Sequence, residues 1–135
     1  PFEDYDQLRL ALGLPDGSAD MPVDKAVLLE NGFEELNGVD FDKGCFLGQE
    51  VTARTKYRGL VKKRLMPVSI DGEATPAGTL VLLGDEEAGE MRSSRDGLGL
   101  ALMRLAVVEK AAGGDAVFTA GNARVTPHKP DWAAY

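Results

Sequence analysis

Tyr5, Leu8, Ala11 and Leu12 recur at three- and four-residue spacing near the start of the chain. That period predicts a short amphipathic helix over 4–14, with these four side chains on one face and Gly13 and Pro15 ending it. Residues 16–24 read as loop. Residues 25–36 read two ways: a short strand and a turn at Asn31-Gly32, or a broken helix. After Gly59 the texture changes. Short β-like runs cover 62–70, 79–83, 89–94, 98–108, 116–120 and 123–126, and Gly, Pro, Asn and Asp clusters separate them. Gly121-Asn122 between the last two runs predicts a tight hairpin. Five or six short strands in so little chain predict a small antiparallel barrel. The fold class expected is α+β, mainly β. A short α/β segment over 1–60 precedes a barrel over 61–135, with the boundary near residues 59–62.

Between helix and barrel lies the stretch KGCFLGQEV, which holds the single cysteine, Cys45. A structural cysteine normally sits in an apolar strand or helix. Here Gly44 and Gly48 flank it, Lys43 precedes it, and Gln49 and Glu50 follow. Residues 49–58 are expected to be helical, with Glu50, Arg54 and Arg58 on one stripe and Gly59 as the stop. A thiolate just ahead of that helix would feel the positive end of its dipole and the Lys43 ammonium. Both favour ionisation. The plainer alternatives are a small hydrophobe at a tight turn for Cys45, turn glycines at 44 and 48, and first-turn residues favoured by the dipole for Gln49 and Glu50.

Charge adds a second contrast. The formal net charge is −7, which argues against nucleic-acid binding by the surface as a whole. Yet Arg54, Lys56, Arg58, Lys62, Lys63 and Arg64 fall together with no acid among them. They read either as a solvated face or as a local site for an anionic group. Apolar residues make up 44% of the chain, enough for a packed core. Met66, Met91 and Met103 sit in strand-like runs and are expected in that core. Trp132 is expected to anchor the C-terminus against the barrel. No apolar run approaches membrane-spanning length. One cysteine cannot form an internal disulfide, which fits a reducing cytosol, so a cytoplasmic protein is expected. The chain opens on Pro1 without a Met, which reads as a fragment or processed product.

Metal binding by this chain alone is not expected. Its one Cys and one His, His128, are far apart, and no ligand-spaced cluster surrounds either. A cluster shared with a partner is open, because a single thiolate can supply one ligand. No phosphate-binding loop, dinucleotide fingerprint or zinc-protease motif occurs. His128 sits in TPHKPDW and reads as a tail residue, not as the partner of a cysteine nucleophile.

The stretch GVDFDKGCFLGQEVTARTKYRG resembles the signature of the YgfZ-type folate-binding proteins, relatives of the glycine-cleavage T-protein (an aminomethyltransferase). DYDQLRLALGLP resembles the family helix ahead of the motif. PAGTLVLL, AGEMRSS and LGLALMRL resemble the six-stranded C-terminal barrel shared with the T-protein. Residue by residue, the resemblance carries over Lys43, Gly44, Cys45, Gly48, Gln49 and Glu50, with Arg54, Arg58 and Gly59 downstream. Phe46 stands where the family often has Tyr.

The resemblance implies a tetrahydrofolate-dependent protein supporting iron–sulfur cluster assembly or repair, with the assembly machinery or its client proteins as partners. Cys45 would be the reactive thiol, as nucleophile, redox group or transient cluster ligand. Lys43 would stabilise its thiolate, and Arg54 and Arg58 would position an anionic partner. Most folate contacts would lie in a family portion that has no counterpart here, so no cofactor is expected in this chain by itself. Nor is a nucleic-acid or membrane partner. Two alternatives stay open: a true aminomethyltransferase passing a one-carbon unit to tetrahydrofolate, and a non-enzymatic protein-binding module. The thiol in K-G-C-x-x-G-Q-E favours the first reading over the transferase, whose pattern lacks the cysteine.

Overall fold

A computed structural model describes residues 1–22, 26–42, 44, 53, 56, 59, 61–112, 114 and 117–133. Six strands form a closed antiparallel barrel: β1 Lys63–Asp71, β2 Leu80–Leu83, β3 Glu86–Arg95, β4 Leu98–Arg104, β5 Phe118–Ala120 and β6 Ala123–Pro127. Their order around the barrel is β1-β4-β3-β2-β5-β6, and β6 closes onto β1. Closure removes both sheet edges, so every strand is paired on two sides. The expected six runs all become strands, and the Gly121-Asn122 hairpin joins β5 to β6.

Alternation along the strands fills the interior. Met66 and Val68 of β1, Val81 of β2, Met91 of β3, Ala101 and Met103 of β4, Phe118 of β5 and Val125 of β6 pack in one cluster. The three methionines expected in the core are there, each at most 3% exposed. Where β3 faces β4, the register shifts between Met91 and Ser94. Such a bulge re-aims side chains, and Arg92 and Ser93 fall within it.

The run over 98–108 departs from expectation. Its strand ends at Arg104, and Leu105–Ala111 form a short helix, α3. Val107 of α3 is buried in the barrel cluster, with Leu105, Val108 and Ala111 packed against it. The reason is that β4 is buried on both faces. Ala101 and Met103 point into the barrel, while Leu98, Leu100 and Leu102 belong to a second cluster outside it. A strand apolar on both faces gives no alternation to show where it stops.

That second cluster is the seat of α1, Phe2–Leu12. The helix contacts β1, β3 and β4, and Leu10 packs with Leu65 and Leu100. Gly13 ends it at φ 78. A side chain there would press on Pro67 and Pro130, 3.0 and 3.1 Å from a Cβ, so glycine is required by conformation and by space. The face that α1 buries is not the expected one. Asp6, Arg9 and Leu10 are buried, whereas Tyr5 and Leu8 are each 60% exposed and Leu12 46%.

Two smaller elements differ from the loop and strand readings. Gly17–Asp20 make one helical turn, α2, and Leu28–Asn31 make a 3₁₀ turn ended by Gly32 at φ 77. The Asn31-Gly32 turn is therefore present without the strand before it, and of the two readings of 25–36 the broken helix is the nearer. Trp132 lies against Gly32, where a Cβ would strike its ring, and its indole N–H donates to the Leu12 carbonyl at 2.6 Å. The C-terminal anchor thus binds the end of α1 and the 3₁₀ turn. His128 is exposed, and its Nε2 shares a 2.7 Å hydrogen bond with Ser69 Oγ.

Candidate functional site

Of the motif carried by the sequence, Gly44 and Gly59 are described, at φ 106 and φ 63. Both backbones are left-handed and favour glycine. Lys43, Cys45, Gly48, Gln49, Glu50, Arg54 and Arg58 lie outside the described residues, and so does most of the helix expected over 49–58. Ala53 and Lys56 within it are helical.

What leads into the motif is well defined. From the 3₁₀ turn the chain folds into a compact knuckle over 28–42. Leu36 N donates to Gly32 O at 2.9 Å, and Gly38 N and Val39 N both donate to Phe33 O at 2.7 and 3.1 Å. Asn37 adopts φ 64, a left-handed conformation that Asn tolerates better than most residues. Asp42 N donates to Asp40 Oδ1 at 2.9 Å, an Asx turn just ahead of the motif. A hollow of about 420 Å³ on this knuckle is lined by Glu34, Asn37, Val39, Asp40, Phe41 and Asp42.

The knuckle is fastened to the barrel by Arg64 of β1. Its Nη1 donates to the Leu29 carbonyl at 3.0 Å and to Glu35 Oε2 at 3.0 Å. The two side chains are only 12% and 9% exposed, so removing either one would leave its partner's charge poorly solvated. Next to it, Glu34 Oε1 accepts from Lys56 Nζ at 2.6 Å, and the same ammonium lies 5.4 Å from the centre of the Phe41 ring. Two cations of the basic run therefore have their anions within the chain, on the adjacent residues Glu34 and Glu35. Sequence reasoning missed this pairing, because the partners are 22 and 29 residues apart with no period linking them. Glu30, on the same turn, is held above the usual carboxylate range by burial, against the pull of Lys63, Arg92 and Arg64.

A second polar cluster seats α1. Arg9 Nε donates to Asp6 Oδ1 at 2.8 Å, and its Nη1 donates to Asp20 Oδ2 at 2.9 Å. Asp20 also accepts from Asp16 N, Ser93 N and Ser93 Oγ. Arg95 Nε donates to Asp6 Oδ2 at 2.7 Å, and that bond, with Arg9 adding to it, holds the Asp6 carboxyl below its ordinary range despite burial. Among the described residues, no buried side-chain polar atom of this cluster lacks a partner, and the cluster serves as a structural joint.

Among the described residues no three His, Cys, Asp or Glu lie close enough to hold a metal, and no helix is long and apolar enough to cross a membrane. Of the described hollows, the one on the knuckle presents Glu34, Asp40 and Asp42. Another, about 500 Å³ between α3 and β6, is walled by Val108, Ala111, Val117, Phe118, Val125 and Pro127, with Asp71, Arg124 and Thr126 adding polar groups.

The fold defines the class: a closed six-stranded antiparallel barrel module, preceded by a knuckle that leads in sequence into the glycine-flanked thiol motif. Residues 62–135 match the model of the CAF17 C-terminal β-barrel domain, and the chain belongs to that family. It is similar to the mouse protein named iron-sulfur cluster assembly factor IBA57, mitochondrial, with 38% identity over 109 residues, 76% of this chain and 30% of the relative. The human protein of that name is 39% identical over 105 residues, 74% of this chain and 30% of the relative. The homologue from Dictyostelium discoideum is 48% identical over 64 residues, 47% of this chain and 16% of the relative. The chain thus spans about 30% of the length of the mammalian relatives. The YgfZ-type resemblance is the coarser statement of the same kinship. The relatives are named as mitochondrial, which overturns the expectation of a cytoplasmic protein. The inference failed because one cysteine only excludes an internal disulfide. It speaks to redox chemistry and does not distinguish one reducing compartment from another.

Proposed function

We propose that this chain serves iron–sulfur cluster assembly, with Cys45 as the thiol that handles the cluster or its components as cargo. The observation that carries the reading is similarity, over about three quarters of the chain, to proteins named as iron–sulfur cluster assembly factors. The sequence around Cys45 supports it. Lys43 supplies a neighbouring cation in sequence, and the residue pattern predicts a helix start after Cys45. Both would favour a thiolate, the form that ligates iron. Arg54 and Arg58, four residues apart in sequence, would receive an anionic group of the partner. Partners on this reading are the assembly machinery or its client proteins. Tetrahydrofolate would be held mainly outside the described residues.

The test is maturation of a reporter [4Fe–4S] enzyme by the wild-type protein and by Cys45→Ser. The variant is expected to lose at least about tenfold in maturation rate, with the thiol of the wild type titrating below about 8.5. Maturation at the wild-type rate by Cys45→Ser would sink the reading.

A further inference from the structure

Along β6, Ala123 and Val125 are buried while Arg124 and Thr126 are exposed. Arg124 and Thr126 edge the hollow between α3 and β6, and Asp71 of β1 stands opposite Arg124 in the register. The walls are apolar. Val108 and Ala111 come from α3, Phe118 and Val125 from the barrel, and Val117 at the rim is 46% exposed. At about 500 Å³ the hollow falls within the roughly 300–1,000 Å³ of ligand pockets. A smaller one of about 190 Å³ adjoins it, sharing Val108 and Pro127.

Arg124 sets this hollow apart. Among the described residues, Arg9, Arg64, Arg92, Arg95 and Arg104 each hold a carboxylate. The Arg124 side chain holds none among them, even with Asp71 at the facing position. A guanidinium without its anion, beside apolar walls, suits an apolar group that carries a carboxylate. Asp71 and Thr126 add acceptors, which an amide N–H next to that carboxylate would use. Carboxylate, neighbouring N–H and apolar side chain occur together at the end of a polypeptide. The closed barrel leaves no strand edge for a peptide to pair with, so a chain end entering a hollow is the mode open to it.

We propose that the hollow between α3 and β6 captures the C-terminal end of a partner polypeptide. Arg124 takes the terminal carboxylate, Asp71 accepts from the last amide N–H, and an apolar C-terminal side chain packs on Val108, Ala111 and Val117. The proposal does not depend on the reading of Cys45.

The test titrates the full chain with three probes: an acetylated Ala-Val-Leu tripeptide with a free carboxylate, the same tripeptide as its C-terminal amide, and decanoate. Binding is followed by the amide NMR shifts of Val108, Ala111 and Thr126. Wild type is expected to bind the free-carboxylate peptide at least about tenfold more tightly than the amide, and Arg124→Gln should erase that difference. Arg124→Lys should keep part of it, because the charge remains without the fork. Asp71→Asn should weaken the peptide about threefold and leave decanoate no weaker. Ala112→Glu, which sets a carboxylate on the rim at an exposed position, should weaken the peptide about tenfold. Arg124 and Ala112 are both exposed, so the urea midpoints should stay unchanged. No binding of the peptide to wild type, or binding that Arg124→Gln leaves intact, overturns the proposal. Decanoate binding as tightly as the peptide, with the same dependence on Arg124, overturns it in favour of a small apolar acid.

Discussion

The barrel and the seat of α1 lie side by side and are held by different forces. Inside the barrel the contacts are apolar throughout: Met66, Val68, Val81, Met91 and Met103 fill the space between six paired strands. At the seat of α1, Leu10 is the helix's buried apolar side chain, and Asp6 and Arg9 beside it are also buried. Area burial dominates the first. In the second, two carboxylates and a guanidinium have given up water for each other and for Ser93. A barrel contact tolerates loss in proportion to the cavity left behind. An ionic joint fails when any one member goes, because its partner stays buried and uncompensated.

The sharpest way to break this comparison is a pair of alanine variants. Asp20→Ala removes the acceptor of four hydrogen bonds and leaves the Arg9 guanidinium, 4% exposed, with Asp6 as its one remaining carboxylate among the described residues. The expected loss is about 3–5 kcal/mol by urea unfolding. Met103→Ala empties a fully buried site in the barrel, with an expected loss of about 2–5 kcal/mol. The two differ in kind. The first should free α1 early, seen as faster amide exchange confined to residues 2–14. The second should weaken the barrel as a unit. Uniform exchange in Asp20→Ala would mean that α1 and barrel are a single cooperative block.

These two regions also differ in how far the sequence discloses them. Alternation with Gly and Asn turn signals placed all six strands within a few residues, because each strand of the barrel buries one face in a common interior. It failed at 105–111, where β4 runs into α3 and both are apolar. It failed more instructively at α1. The stripe of Tyr5, Leu8 and Leu12 was legible as a stripe, but periodicity reads the apolar face as the inner one. Here the inner face carries Asp6 and Arg9, whose anchors Asp20, Ser93 and Arg95 lie far along the chain. Ion pairs at such separations leave no period to read. The Glu34–Lys56 and Glu35–Arg64 pairs beside the thiol motif escaped for the same reason. The reading of the motif rests on its residue types alone, because of residues 43–50 only Gly44 is among the described ones.

Acid should separate the regions by a smaller amount. Asp6 has a folded pKa below its ordinary value of 3.8, chiefly through its hydrogen bond from Arg95. Its contribution is therefore fully present above about pH 4 and is lost as pH falls through the lowered folded value. Glu30 has the opposite sign. Its folded pKa lies above 4.5 through burial, so the stability linked to its protonation is present below 4.5 and lost as pH rises through the folded value. The stability gap between wild type and Asp6→Asn should be widest above pH 4 and should close below it. The gap between wild type and Met103→Ala should stay level across the same range. A level gap for Asp6→Asn would show that the joint does not depend on the Asp6 charge.

The smallest effect expected is the one that the hydrophobic pattern would rank among the largest. A leucine on the apolar stripe of an amphipathic helix ordinarily costs about 2–5 kcal/mol to truncate, because that stripe faces the core. Leu8 is 60% exposed in this chain, on the side of α1 turned away from β1, β3 and β4. Leu8→Ser should therefore change the stability of the 135-residue chain by no more than about 0.5 kcal/mol. Leu10→Ala, two residues on and fully buried against Leu65 and Leu100, should cost several times that. Urea unfolding of the two variants decides which face of α1 the barrel holds. If Leu8→Ser proved as costly as Leu10→Ala, the apolar stripe would be the packed one, and the ionic joint would lose its place as the anchor of the helix.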